Sequence, residues 1–348
     1  MSDIAVIPGD GIGTEVIESA RAVLDAVAGK HGISLSYTDF DWSCQRYANE
    51  GAMMPDDGLE TLRGFDAIFL GAVGWPGVPD HVSLWGLLIP IRRKFRQYVN
   101  LRPIRVFNGV ESPLRTTGEV DFVVVRENVE GEYSEIGGRL NRGFPDEMAV
   151  QESVFTRVGV SRIADFAFEL ARSRRGYVTS ATKSNGIVHT LPFWDEVVAE
   201  RAAEFPDVRF DSEHIDALAA KFVLQPQRFD VVVGSNLFGD ILSDLAAAVA
   251  GSIGIAPSAN LDPTKQYPSM FEPVHGSAPD IAGQGIANPI GAVWSAALML
   301  EHLGHSEAAA AVMTAIESTL ANPDTRTGDL GGRASTAQVT DALVAALS

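Results

Sequence analysis

Ile4-Ala5-Val6-Ile7-Pro8-Gly9-Asp10-Gly11-Ile12-Gly13 sets four apolar residues against a proline and three alternating glycines. The apolar run is short and bounded by turn formers, so it reads as a buried strand. Beyond it Val16, Ile17, Ala20, Val23, Leu24 and Val27 recur at the three- and four-residue spacing of an amphipathic helix. The unit is strand, tight turn, helix. Its glycines stand at 9, 11 and 13, which is not the G-x-G-x-x-G spacing of a dinucleotide fingerprint, so the loop carries no Rossmann signal.

Working outward, the same kind of run returns at Ala67-Ile68-Phe69-Leu70-Gly71-Ala72, Phe122-Val123-Val124-Val125 and Val231-Val232-Val233. Buried strands between helical stretches predict an α/β architecture with a substantial parallel sheet. The Ala-rich segment from Glu307 to Leu320 reads as a surface or packing helix. There is no internal repeat and no low-complexity linker, and 348 residues suffice for two domains.

Twenty-seven basic residues against 45 acidic ones give a net charge of −18. That sign repels nucleic acid and anionic lipid, so neither is expected as a partner. An acidic substrate must then meet a local cluster of arginines or a metal. Cys44 is the only cysteine, so no internal disulfide can form and a reducing compartment is expected. Met1-Ser2-Asp3-Ile4 shows neither a basic leader nor a long apolar core, and no stretch approaches a membrane span. A cytoplasmic protein is expected.

The chemistry concentrates in Asn236-Leu237-Phe238-Gly239-Asp240-Ile241-Leu242-Ser243-Asp244-Leu245. Asp240 and Asp244 are four apart on a helical pattern and share a face. Like charges at that spacing destabilise a bare helix, and a divalent cation reverses the sign of the interaction. Carboxylate oxygens suit Mg²⁺ or Mn²⁺. Read alone, the pair is equally a solvated acidic face.

With its neighbours the stretch resembles the signature of the β-decarboxylating dehydrogenases, the isocitrate/isopropylmalate dehydrogenase family. The resemblance runs from Pro8-Gly9-Asp10-Gly11 to Asn288-Pro289. It implies that family's two-domain α/β fold, with a mixed, largely parallel sheet that is not a Rossmann fold. Residues 1–97 plus 251–348 would form a discontinuous large cofactor domain, and 98–250 a small domain with the dimer interface. Asp216, in His214-Ile215-Asp216-Ala217, matches a third metal carboxylate beside Asp240 and Asp244. Lys183, in Thr182-Lys183-Ser184-Asn185, matches the catalytic lysine, and Tyr133, in Gly131-Glu132-Tyr133-Ser134, the catalytic tyrosine. In the family, Lys183 and Asp216 would reach the site from a second subunit, which implies a homodimer with shared active sites.

Arg92, Arg102 and Arg126 match the family's acid-binding positions. Guanidinium forks are what a diacid needs in a net-acidic protein, because they bind carboxylates bidentately. Neighbouring Arg93 and Arg105 lack such support and are expected as ordinary surface charges. Glu272, His275, Gly276, Ser277, Ala278, Asp280 and Asn288 match the cofactor segment. Asp280 can accept hydrogen bonds from a ribose diol and would repel a 2′-phosphate, so NAD is the expected cofactor. K⁺ joins Mg²⁺ or Mn²⁺ as a candidate ion.

Ser83-Leu84-Trp85-Gly86-Leu87-Leu88-Ile89-Pro90-Ile91-Arg92 is most similar to the tartrate/D-malate branch. Trp85 stands where isopropylmalate enzymes carry an acidic residue, and its indole is expected to shrink the substrate pocket. Leu88 keeps an apolar wall, so 3-isopropylmalate is the alternative. Val129 departs from the family's usual threonine. The resemblance implies NAD-linked oxidation and decarboxylation of a small 2R-hydroxy diacid, D-malate or tartrate.

Overall fold

The computed structural model describes residues 1–114 and 119–348. Among the described residues twelve strands form in chain order: β1 Ser2–Gly9, β2 Leu35–Asp39, β3 Ala67–Ala72, β4 Val99–Arg105, β5 Asp121–Glu127, β6 Gly137–Leu140, β7 Met148–Gln151, β8 Tyr177–Thr182, β9 Arg209–His214, β10 Val231–Gly234, β11 Pro257–Leu261 and β12 Ser269–Pro273. Ten make one sheet in the order β2-β1-β3-β12-β11-β4-β5-β10-β8-β9, while β6 and β7 pair separately. The pairs β11–β12, β11–β4 and β4–β5 are antiparallel, and the remaining neighbours of the large sheet are parallel. Strands from 1–97 and 251–348 fill one half of the sheet, and strands from 98–250 the other.

Alternation along β1 explains why its run is apolar throughout. Ile4 and Val6 enter one core, whereas Ala5 and Ile7 enter a second core on the opposite face. Ala67 and Phe69 part from Ile68 and Leu70 in the same way on β3. The helix Gly13–His31 covers the first face with Val16, Ile17, Ala20, Val23, Leu24 and Val27, all fully buried. The C-terminal alanine-rich segment is a helix over Ser306–Ala321 that buries Val312, Ala315, Ile316 and Leu320. It is a packing helix.

The opening glycines form the tight turn their spacing predicts. Gly9 and Gly11 take φ of 72° and 57°, a region open to glycine at little cost. A Cβ on Gly13 would stand 2.3 Å from the Pro8 carbonyl oxygen. The turn brings the Ile12 amide to donate to the Ser277 carbonyl at 2.9 Å, tying the loop to the segment that follows β12.

Candidate active site

The helix Asn236–Val249 starts behind β10, where Ser235 caps it by accepting from the Phe238 amide. Its position over β5 brings Asp240 against Arg126: Arg126 Nη1 donates to Asp240 Oδ1 at 2.5 Å, and Nε and Nη2 both donate to Asn236 Oδ1. Gly239 permits this approach, because a Cβ there would lie 2.5 Å from the Arg126 Cβ. On β4, Arg102 Nη1 stands 3.4 Å from Asp240 Oδ1 and 3.2 Å from Asp244 Oδ1. Tyr133 donates its phenol proton to Asp240 Oδ2 at 2.9 Å. Five of the expected side chains therefore meet in one cluster.

Burial dominates the electrostatics there. It pulls the Arg102 and Arg126 guanidinia below their ordinary range, Arg126 to about 10, against the attraction of Asp240. Both stay cationic near neutrality. Burial works to raise Asp240, yet Arg126, Arg102 and the Tyr133 hydrogen bond outweigh it and hold the carboxyl low. Asp244 moves up, through burial and then the charge of Asp240, with Arg102 opposing. Tyr133 is also raised, by burial and by Asp240, so it keeps its proton.

Arg92 closes a second contact: its Nη2 donates to Glu272 Oε1 at 2.7 Å. Arg92, Arg102, Glu272, His275, Gly276 and Leu88 line one cavity of about 150 Å³. His275 also lines a larger one, about 460 Å³, with Ile12, Ile253, Ala278, Ile281 and Asn288. The His275 Nε2 atom is buried at this junction with no hydrogen-bond partner among the described residues, and burial lowers the pKa of the ring. Ser277 donates to the Gly74 carbonyl at 2.5 Å, and Ala278 adopts φ of 39°. Asp280 is exposed and lines neither cavity.

Lys183 and Asp216 stand apart from this cluster. Lys183 Nζ donates to Asp216 Oδ1 at 2.7 Å, and that contact holds the Asp216 carboxyl low. Among the described residues, no three His, Cys, Asp or Glu side chains come together to hold a metal ion. One chain thus assembles two carboxylates and not the third.

Residues 3–343 match the family described as isocitrate/isopropylmalate dehydrogenase. The chain belongs to the isocitrate/isopropylmalate dehydrogenase family. It is an oxidoreductase of the decarboxylating kind. A probable tartrate dehydrogenase/decarboxylase of Bacillus subtilis is 56% identical over 347 residues, 99% of this chain and 98% of its own. The D-malate dehydrogenase [decarboxylating] of Escherichia coli is 56% identical over 350 residues, 98% of this chain and 97% of its own. The crystal structure of isocitrate dehydrogenase from Methylococcus capsulatus superposes with a TM-score of 0.91 at 35% identity, covering 100% of this chain and 99% of that one.

For this isocitrate/isopropylmalate dehydrogenase family member, several contributors escape the sequence reading. Arg93, expected as a surface charge, donates to the Tyr133 carbonyl at 2.6 Å and to Glu135 at 2.8 Å. Its guanidinium also lies 4.9 Å from the centre of the Trp85 ring. Trp85 is half-buried under Arg93 and does not line the cavity that Leu88 lines. Both belong to a π-helical turn, Leu84–Leu88, which rotates side chains off the ordinary helical spacing. Asp329 accepts from Asn288 Nδ2 at 3.0 Å and from Ser252 at 2.5 Å, fixing one wall of the larger cavity. No local signal marks these residues; only the fold brings them there. Among the described residues no helix is long and apolar enough to cross a membrane.

Proposed function

We propose that this enzyme performs NAD- and divalent-metal-dependent oxidation and decarboxylation of a small 2R-hydroxy diacid, D-malate or tartrate. The observation that carries the reading is the set of Arg92, Arg102 and Arg126. These guanidinia are almost wholly buried, at 11, 10 and 3% side-chain exposure, beside Asp240, Asp244 and Glu272. Three desolvated cations in a chain of net charge −18 suit a ligand with two carboxylates. The relatives named for tartrate and D-malate support the same class.

Asp240 and Asp244 offer an all-oxygen donor set that fits Mg²⁺ or Mn²⁺. Asp216, with Lys183, would complete it from a second copy of the chain. Exposed apolar residues on the β6–β7 hairpin (Leu140, Met148, Val150) and at Val223, Leu224 and Ile241 support such a homodimer. The two cavities that meet at His275 suit a two-ended molecule such as NAD, held by Glu272, Gly276, Ser277, Ala278 and Asn288, with Asp280 near a ribose. We assign the cofactor half to 1–97 plus 251–348 and the substrate half to 98–250. K⁺ is the candidate monovalent ion, and a cytoplasmic setting suits the lone Cys44.

When bound, the ion supplies Lewis-acid polarisation and the nicotinamide a hydride acceptor. The chain's own residues do the rest. Arg92, Arg102 and Arg126 hold the carboxylates, and Lys183 takes the proton of the 2-hydroxyl. Oxidation at C2 and loss of the C4 carboxylate as CO2 leave a carbanion equivalent at C3, to which Tyr133 gives its proton. D-malate would yield pyruvate. The expected outcome with Mn²⁺ and NAD is a higher kcat/KM for D-malate or L-tartrate than for 3-isopropylmalate. Leu88 on the cavity wall favours 3-isopropylmalate as the second reading. A preference of about a hundredfold for that acid, on the order of 3 kcal/mol, would overturn the first.

A further inference from the structure

The antiparallel registers of β12, β11, β4 and β5 bring polar residues to one face of four neighbouring strands. Ser258 is opposite Glu272, Asn260 is opposite Asn100, and Asn100 is opposite Arg126. Directly opposed residues point to the same side of a sheet, as do residues two apart on a strand. Arg102 therefore joins Asn100, and Ser258 joins Asn260. This polar face occupies the middle strands, where the two halves of the sheet meet.

Asn260 is its centre, with no exposure to solvent. Its Oδ1 accepts from Asn100 Nδ2 and from Asn128 Nδ2, each at 2.9 Å. Its Nδ2 donates to Glu272 Oε1 at 2.7 Å and to the Met270 carbonyl at 3.4 Å. All four bonds open to an amide are made. The orientation of the amide is dictated, since a flip would set its NH2 against two other NH2 groups and its oxygen against a carboxylate. Glu272 Oε1 is shared: it accepts from Asn260 on one side and from Arg92 Nη2 on the other, at 2.7 Å each.

We propose that Asn260 is a positioning residue, which fixes Glu272 and through it the Arg92 guanidinium that grips one carboxylate of the diacid. Asn128, two residues beyond Arg126, is bonded to the same amide. The separation between the Arg92 and Arg126 guanidinia is thereby referred to a single buried side chain, and it selects the length of the acid. Desolvated networks of this kind hold their members rigidly, because an unpaired polar group in them is costly. The proposal rests on the diacid reading of the same site.

Asn260→Asp is the test, because it keeps both acceptor contacts, removes the donor and turns a carboxylate toward Glu272. The KM for the diacid that the wild type uses best should rise about tenfold, while kcat changes less than about threefold. A fall in kcat with KM unchanged, or a lower Tm with no change in KM, would overturn the proposal. A crystal structure of Asn260→Asp gives a readout independent of substrate identity: Arg92 Nη2 should move beyond about 3.5 Å from Glu272 Oε1. If the wild type turns over none of the diacids, the functional reading fails, and this distance alone decides whether Asn260 positions Arg92.

Discussion

Asp240 and Asp216 are both expected to hold one metal ion, yet the chain houses them in opposite surroundings. Asp240 is 29% exposed and engages Arg126, Tyr133 and Arg102. Asp216 is 68% exposed and pairs with Lys183. The first sits in a desolvated network whose members constrain one another, the condition for a preorganised electrostatic site. The second is an open ion pair, which solvent screens. Breaking it to serve a partner's site costs little. On the proposed reading, one chain carries a finished half-site and a half-site kept available for a second copy.

The largest effect falls on the join between the halves. Lys183→Met and Asp240→Asn should each lower kcat by about a thousandfold, the first by loss of a proton-transfer group and the second by loss of a metal carboxylate. If Lys183 serves a neighbour's Asp240, mixing the two inactive chains restores activity. Random C2 pairing makes about half the dimers mixed, each with one intact site in two, so about a quarter of wild-type activity should return. A mixture that stays as inactive as its components breaks the shared-site reading.

Tyr133→Phe probes the finished half. Losing the phenol proton while keeping the ring over Arg126 should cost about a hundredfold in kcat with little change in KM. A rise in KM with kcat intact would make Tyr133 a binding group instead.

How far the sequence could foresee this contrast depends on the kind of contact. Asp240 and Asp244 were legible because helical spacing alone puts i and i+4 on one face. The strands were legible because burial on both faces makes their runs apolar. The meeting of Arg126 with Asp240 depends on a helix crossing β5 at Gly239, and the Asn260 network depends on antiparallel register. Neither leaves a local trace. The same limit hid Arg93, which follows Arg92 in sequence but turns its guanidinium to the Tyr133 carbonyl and to Trp85, itself in the π-helical turn Leu84–Leu88.

Arg93→Ala therefore gives a smaller effect at the edge of the finished half. Loss of one charge-assisted hydrogen bond to the Tyr133 backbone should lower kcat about five- to tenfold. Mn²⁺ affinity should stay near wild type, because Arg93 touches neither aspartate. Equal loss in kcat and Mn²⁺ affinity would extend the network further than drawn.

The smallest effect is on stability, and it separates the buried half from the open one by pH. Glu127 follows Arg126, is fully buried, and has one carboxylate oxygen without a hydrogen-bond partner among the described residues. Burial pushes its carboxyl from 4.5 up to about 7, against Arg162 at 3.6 Å and the bonds from the Val129 and Glu130 amides. A carboxyl raised on folding binds its proton more tightly in the folded state. Its burden is absent below the unfolded value and grows as pH rises from about 4.5 to about 7. Glu127→Gln removes the charge and keeps an acceptor for both amides. Its Tm should match wild type near pH 5 and exceed it by about 2–4 °C near pH 8. Asp216→Asn, on the exposed pair, should leave the wild-type pH slope unchanged. Parallel Tm curves for Glu127→Gln and wild type between those pH values would mean that the carboxyl is ionised in the fold at little cost. The buried half-site would then be better solvated than its packing implies.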